Sequence, residues 1–149
     1  MPDAPGIPSV GHAIQLAVTP VFLLLGIGTM LSVMTNRLAR IVDRARGAEA
    51  RLDSTAPDVV ADLHGELAIL SRRSRLINRA ITFCTITALL ICAVIATLFV
   101  GAFLEHDLST IVAILFITAV SFLFIGFLYF LREIFIAVAA LRIGPRTPN

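Results

Sequence analysis

An all-α integral membrane protein with three transmembrane helices is the fold this sequence predicts, and three observations predict it. Hydrophobic residues make up 58% of the 149 and charged ones only 15%. The mean hydropathy is +0.94, which leaves too little polar surface for a water-facing domain. Three stretches, Ala13 to Asn36, Ala80 to Leu104 and Leu108 to Leu131, carry no ionised side chain. Each exceeds the roughly 20 helical residues that cross a hydrocarbon core of about 30 Å. The alternation that marks barrel strands is missing, so backbone amides in lipid must be satisfied within helices. Nine Gly, seven Pro and two Cys exclude a collagen repeat, disorder and a disulfide-stapled scaffold.

The first span, 13–36, is read as an anchor and not a signal peptide. No basic residue precedes it, its apolar run is long, and no small-residue cleavage pattern follows. Beyond Asn36 the helical spacing continues through Leu38, Ile41, Ala45, Ala48 and Leu52, which predicts about four further turns. Asp53 to Pro57 breaks that helix. Thr55 is placed to cap the next one, with Asp58 three residues on and Pro57 in its first turn. Val59, Leu63, Leu67, Leu70 and Ile77 then form a second stripe leading into the second span, 80–104. Two such stripes joined by a short turn predict an antiparallel helical hairpin over residues 37–79. Glu105, His106 and Asp107 read as a wet turn before the third span, 108–131. Its helix is expected to run on over 132–143, with Ile134, Phe135, Val138 and Leu141 packing on the hairpin, until Gly144 and Pro145 stop it. The chain, 1–149, is thus one membrane domain.

Orientation follows from the arginines, since there is no lysine. Arg37, Arg40, Arg44, Arg46, Arg51, Arg72, Arg73, Arg75 and Arg79 lie between the first two spans, and Arg132, Arg142 and Arg146 follow the third. None precedes the first span or lies between the second and third. The positive-inside tendency puts the hairpin and the C-terminus in the cytoplasm and the N-terminus outside. Arg72, Arg73, Arg75 and Arg79 are read as anchors reaching lipid headgroups. Acidic residues share the hairpin with these arginines, so nucleic-acid binding is not supported.

Catalytic chemistry has little to stand on. His12, His64 and His106 are isolated, Cys84 and Cys92 are too far apart on one helix for a disulfide, and no triad, metalloprotease or phosphate-loop motif is present. No enzyme activity, catalytic residue, metal or cofactor is expected. Thr82, Thr85, Thr87 and Thr97 can return hydroxyl bonds to their own helix.

The informative feature is a row in the first span. Gln15, Thr19, Phe22, Gly26, Thr29, Val33, Asn36 and Arg40 follow at intervals of four and three, with Arg44 one step further. That is the spacing of a left-handed packing seam. A parallel row of Leu16, Pro20, Leu23, Ile27, Met30 and Met34 is more apolar and suits lipid or protein contact. Two readings of the polar row stay open. One is helix packing, served by Gly26, Gly28 and Ser32. The other is a water-filled path in which Gln15 and Thr19 lie outside, Phe22 to Val33 form a narrow zone, and Asn36, Arg40 and Arg44 make a basic vestibule. Three helices cannot enclose such a path, so it requires a homo-oligomer.

The runs Ile14 to Leu24, Thr35 to Arg44, Arg75 to Ile81, Leu131 to Ile134 and Leu141 to Gly144 together resemble a family of small bacterial membrane proteins catalogued as domain of unknown function 2721. The resemblance covers nearly the whole chain and implies a bacterial inner-membrane protein of this layout; it implies no activity and carries no functional residues. The quoted motifs gather at the cytoplasmic ends of the spans. There Arg37, Asp43, Asn78, Arg79, Arg132 and Glu133 are expected to meet at one depth, with Asp43 and Glu133 as the acids that pair with arginine. The expected partners are the lipid bilayer, further copies of the chain and an ion or small solute. A conducting homo-oligomer is the leading reading, and a membrane scaffold whose hairpin binds a partner protein is the alternative.

Overall fold

A computed structural model describes residues 7–52, 57–104 and 106–141 of the chain. It holds three α-helices, α1 (Ile7–Leu52), α2 (Pro57–Leu104) and α3 (Ser109–Leu141). Each contains a stretch long and apolar enough to cross a membrane, which makes the protein multi-pass. The helices are far longer than a span needs. The 46 residues of α1 correspond to about 70 Å, more than twice a hydrocarbon core. The helical spacing past Asn36 is indeed one continuous helix to Leu52, and Pro20 is accommodated inside it. Pro57 is the first residue of α2, where its missing N–H costs nothing. The cap assigned to Thr55 and the stop assigned to Gly144 and Pro145 lie outside the described residues.

Two compact units divide the chain. The first comprises residues 1–31 and 83–124, the second residues 32–82 and 125–149.

In the first unit Ala13, Ala17 and Ile27 of α1, Cys84, Thr87, Ile91 and Val94 of α2 and Ala119 of α3 form the buried core. The Thr87 hydroxyl donates to its own helix at Phe83 O (2.9 Å) and across to Ala119 O of α3 (3.3 Å). This bridge satisfies a polar group that apolar surroundings would otherwise penalise. Phe83 and Phe122 stack beside it, with ring centroids 5.7 Å apart. The α2–α3 turn is tight. His106 N–H reaches Gly101 O at 3.3 Å, and a Cβ at Gly101 would come 3.3 Å from His106 O, so glycine suits the close approach. Asp107 accepts the Ser109 N–H at 3.0 Å, capping a donor that the start of α3 leaves free.

In the second unit the core is Met34, Ile41 and Ala48 of α1, Leu63, Leu70, Leu76, Ile77 and Ala80 of α2, and Glu133 of α3. The extension of α3 differs from the apolar packing expected of it. Ile134 is half-buried, but Phe135 and Val138 are 66% and 55% exposed and the side chain of Leu141 lies outside the described residues; among those described, the fully buried side chain of this stretch is the carboxylate of Glu133.

A seven-residue period runs through all three helices. On α1 the buried residues Ala13, Pro20, Ile27, Met34, Ile41 and Ala48 recur at that interval; on α2 Leu63, Leu70, Ile77, Cys84 and Ile91 do; on α3 Ala119, Gly126 and Glu133 do. A 3.5-residue average repeat is the signature of left-handed, knobs-into-holes packing. Of the apolar row singled out on the first span, Pro20, Ile27 and Met34 are buried, Leu23 and Met30 half-buried and Leu16 exposed.

Candidate functional site

Two polar features could carry function, and each is built by helical phase. The first is the row on α1. In the first unit Gln15, Thr19, Phe22, Gly26 and Thr29 are all exposed; in the second Val33, Asn36, Arg40 and Arg44 are too. At about 100° per residue, Gln15 and Thr19 lie on the side of the helix opposite Ala13 and Ala17. The chain therefore spends one side of α1 on its own core and leaves the polar side without intramolecular packing. A Cβ added to Gly26 or Gly28 would meet nothing within 4 Å. The Thr29 hydroxyl returns to Leu25 O of its own turn at 3.1 Å. Neither side-chain amide of Gln15 and Asn36 has a hydrogen-bond partner among the described residues.

The second feature lies within the second unit, around Glu133. Its carboxylate is wholly buried and receives two arginines. Arg37 Nη1 of α1 donates to Oε2 at 2.8 Å, and Arg73 of α2 donates to Oε1 through Nη2 at 2.8 Å and Nε at 3.1 Å. All three helices thus meet at one side chain. The Arg37 side chain is 42% exposed and that of Arg73 17%, so Arg73 is the more dependent on the carboxylate. Arg37 also lies over the Phe130 ring, 5.5 Å from its centroid. Arg79 takes the face of Tyr129 at 5.8 Å, a favourable placement of a cation on a ring quadrupole.

Of the six residues expected at one depth, Arg37 and Glu133 are in contact, and Arg79 is engaged by an aromatic ring. Asp43, Asn78 and Arg132 are exposed, and Asp43 makes no ion pair among the described residues. The residue missed is Arg73, read from sequence as a headgroup anchor. Its signal was phase: Arg73, Ala80, Thr87 and Val94 are spaced by seven, and the last three are buried. Glu133 follows Ala119 and Gly126 in the same way.

Four further hydroxyls of the spans are satisfied on their own helices. Thr82 donates to Asn78 O, Thr97 to Ala93 O, Thr118 to Ile114 O and Ser121 to Ile117 O, each four residues back. Cys84 is buried and Cys92 exposed. No group of three His, Cys, Asp or Glu able to hold a metal occurs among the described residues.

A family model described as "Protein of unknown function (DUF2721)" matches residues 17–143 of the chain. No curated protein matches, and no solved structure matches.

Proposed function

The chain belongs to the DUF2721 family, and from that premise we propose that it is a bacterial inner-membrane homo-oligomer that conducts an ion or a small solute along α1. One observation carries this reading: the polar row from Gln15 to Arg40 stands exposed along the side of α1 that the chain does not pack, and Arg44, one turn further, is exposed as well. Amides such as those of Gln15 and Asn36 are costly against hydrocarbon and stable against water or another polar helix. Several copies that turn this row inward remove the cost. Their axis would carry Gln15 and Thr19 at one mouth, a constriction at Phe22, and Asn36, Arg40 and Arg44 at the other. A ring of arginines there favours anions and opposes cations. By the arginine distribution the basic mouth and the 37–79 hairpin are cytoplasmic. The Arg37–Glu133–Arg73 cluster then has a positioning role, holding α1 at a set rotation.

The scaffold reading draws on a different observation. Ile41, Val42, Ala45, Leu67 and Leu70 floor a cleft of about 390 Å³ in the second unit, with Arg46 and Glu49 on its rim, and a partner's helix would fit such a surface.

The two are separated by single cysteines at Gln15, Thr29 and Asn36 in a chain with Cys84 and Cys92 replaced by Ser, reconstituted in liposomes. Conduction predicts modification of all three by a water-soluble thiol reagent and a matching block of ion or small-solute flux. Shielded cysteines and no flux would favour the scaffold.

A further inference from the structure

The first unit contains a further opening, which shares Thr19 alone with the polar row of α1. A cleft of about 640 Å³ lies among α1, α2 and α3, within the size range of small-molecule sites. Its walls are apolar: Leu16 and Pro20 of α1, Val94 and Leu98 of α2, Val112 and Phe116 of α3. Thr97 belongs to the wall, but its hydroxyl is committed to Ala93 O at 2.8 Å, so it adds no demand for water. From the α2–α3 turn to Phe116 the cleft runs along roughly two turns of helix, about 10 Å.

Apart from Thr19 and Thr97, the polar lining gathers at one end, where His12, His106, Asp107 and Ser109 border the opening. These groups present acceptors. The Nδ1 of His106 lies 2.8 Å from Leu104 O. A carbonyl only accepts, so Nδ1 carries the proton, which leaves Nε2 as the acceptor of this tautomer. Asp107 accepts the Ser109 N–H at Oδ1 and a bond from the Ser109 side chain as well; an ionised carboxylate offers about four lone-pair sites, so it can accept more. Hydrogen bonds from Ser109 hold the Asp107 carboxyl below the usual carboxylate range, so it is anionic at neutral pH. Neither arginine nor lysine lies among the residues bordering the cleft to hold a phosphate.

An apolar slot with an anionic, acceptor-rich mouth, cut into helices that acyl chains surround, matches one kind of molecule. We propose that this cleft binds an acyl chain of a membrane lipid whose headgroup ends in a primary ammonium, with the ammonium on Asp107 and His106. Water is a poor occupant of such walls, whereas an acyl chain fills them from the surrounding solvent. A quaternary ammonium lacks the N–H donors that the Asp107 carboxylate and the His106 Nε2 would accept. The proposal needs only the membrane placement of the helices, so it stands or falls apart from conduction.

The test uses the whole protein in vesicles of phosphatidylglycerol with a small fraction of phosphatidylethanolamine bearing a photoreactive acyl chain, and maps the labelled peptides by mass spectrometry. Label is expected to concentrate on Leu98, Val112 and Phe116 above the outward residues Ile114 and Ile117. Unlabelled phosphatidylethanolamine should displace it about fivefold better than phosphatidylcholine, the equivalent of roughly 1 kcal/mol. Asp107→Asn should erase that preference while labelling persists. Ala113→Trp, at the cleft's edge, should abolish labelling with helicity by circular dichroism unchanged. Label that follows exposure alone, equal displacement by the two lipids, or a cross-linked peptide from a second copy in the cleft would each overturn the proposal. The labelling of the native chain decides the matter even if a variant fails to fold.

Discussion

Replacing Glu133 by Gln keeps the size of the side chain and removes the one negative charge that Arg37 and Arg73 share. Breaking a buried ion pair by neutralising one partner costs about 3–5 kcal/mol, because the other charge stays behind without compensation. The Arg37 side chain, 42% exposed, can turn toward water, and that of Arg73, at 17%, cannot do so fully. The cost therefore falls at the low end, about 3 kcal/mol, and most of it arises at Arg73. Glu133→Arg, which brings three guanidiniums together, should cost more. Arg37→Met should be milder than Glu133→Gln. The combined Glu133→Leu, Arg37→Met and Arg73→Met variant should recover much of the loss, since an apolar replacement of the whole triad leaves no buried charge. Equilibrium unfolding in mixed micelles, as a denaturing detergent is titrated into a mild one and helicity is followed, measures all of these. A Glu133→Gln protein within about 0.5 kcal/mol of the parent, the range of an ordinary surface change, would refute the reasoning.

Two further substitutions probe the helices by the same means. Thr87→Val removes the hydroxyl that reaches Ala119 O at 3.3 Å and should cost about 0.6 kcal/mol, the average for hydrogen bonds between membrane helices; a loss of several kcal/mol in the unfolding titration would contradict it. Gly26→Leu meets nothing inside the chain, so the subunit's own stability should hold. Native mass spectrometry should then show the assembly falling to smaller species, and an unchanged mass would argue that the row does not join copies.

The spans were legible because hydropathy over two dozen residues outweighs any local ambiguity, and the long continuation of α1 was legible because Leu38, Ile41, Ala45, Ala48 and Leu52 keep the helical interval. What stayed hidden was direction. Depth alone sorts arginines by distance from a span and makes Arg72, Arg73, Arg75 and Arg79 equivalent; the seven-residue phase separates Arg73, which turns inward with Ala80 and Thr87, from the exposed Arg72 and Arg75. The same blindness applied to α3, where Phe135 and Val138 have the apolarity of a packed face and yet are exposed, while Glu133 occupies the buried phase of Ala119 and Gly126. On α1 the polar row was visible as a periodicity. Which side of the helix the chain packs was not, since Ala13, Ala17, Ile27 and Met34 suit lipid and protein equally well by composition.

Cross-linking along α1 tests the conducting assembly most directly. Single cysteines at Gln15, Phe22, Gly26, Thr29 and Val33, in vesicles and with Cys84 and Cys92 replaced by Ser, should join copies into a ladder of oligomers under a short bis-maleimide, while cysteines at Ala13 and Ile27, buried in the chain's own core, should not. Equal, exposure-independent reaction at both sets, or monomers throughout, would contradict it.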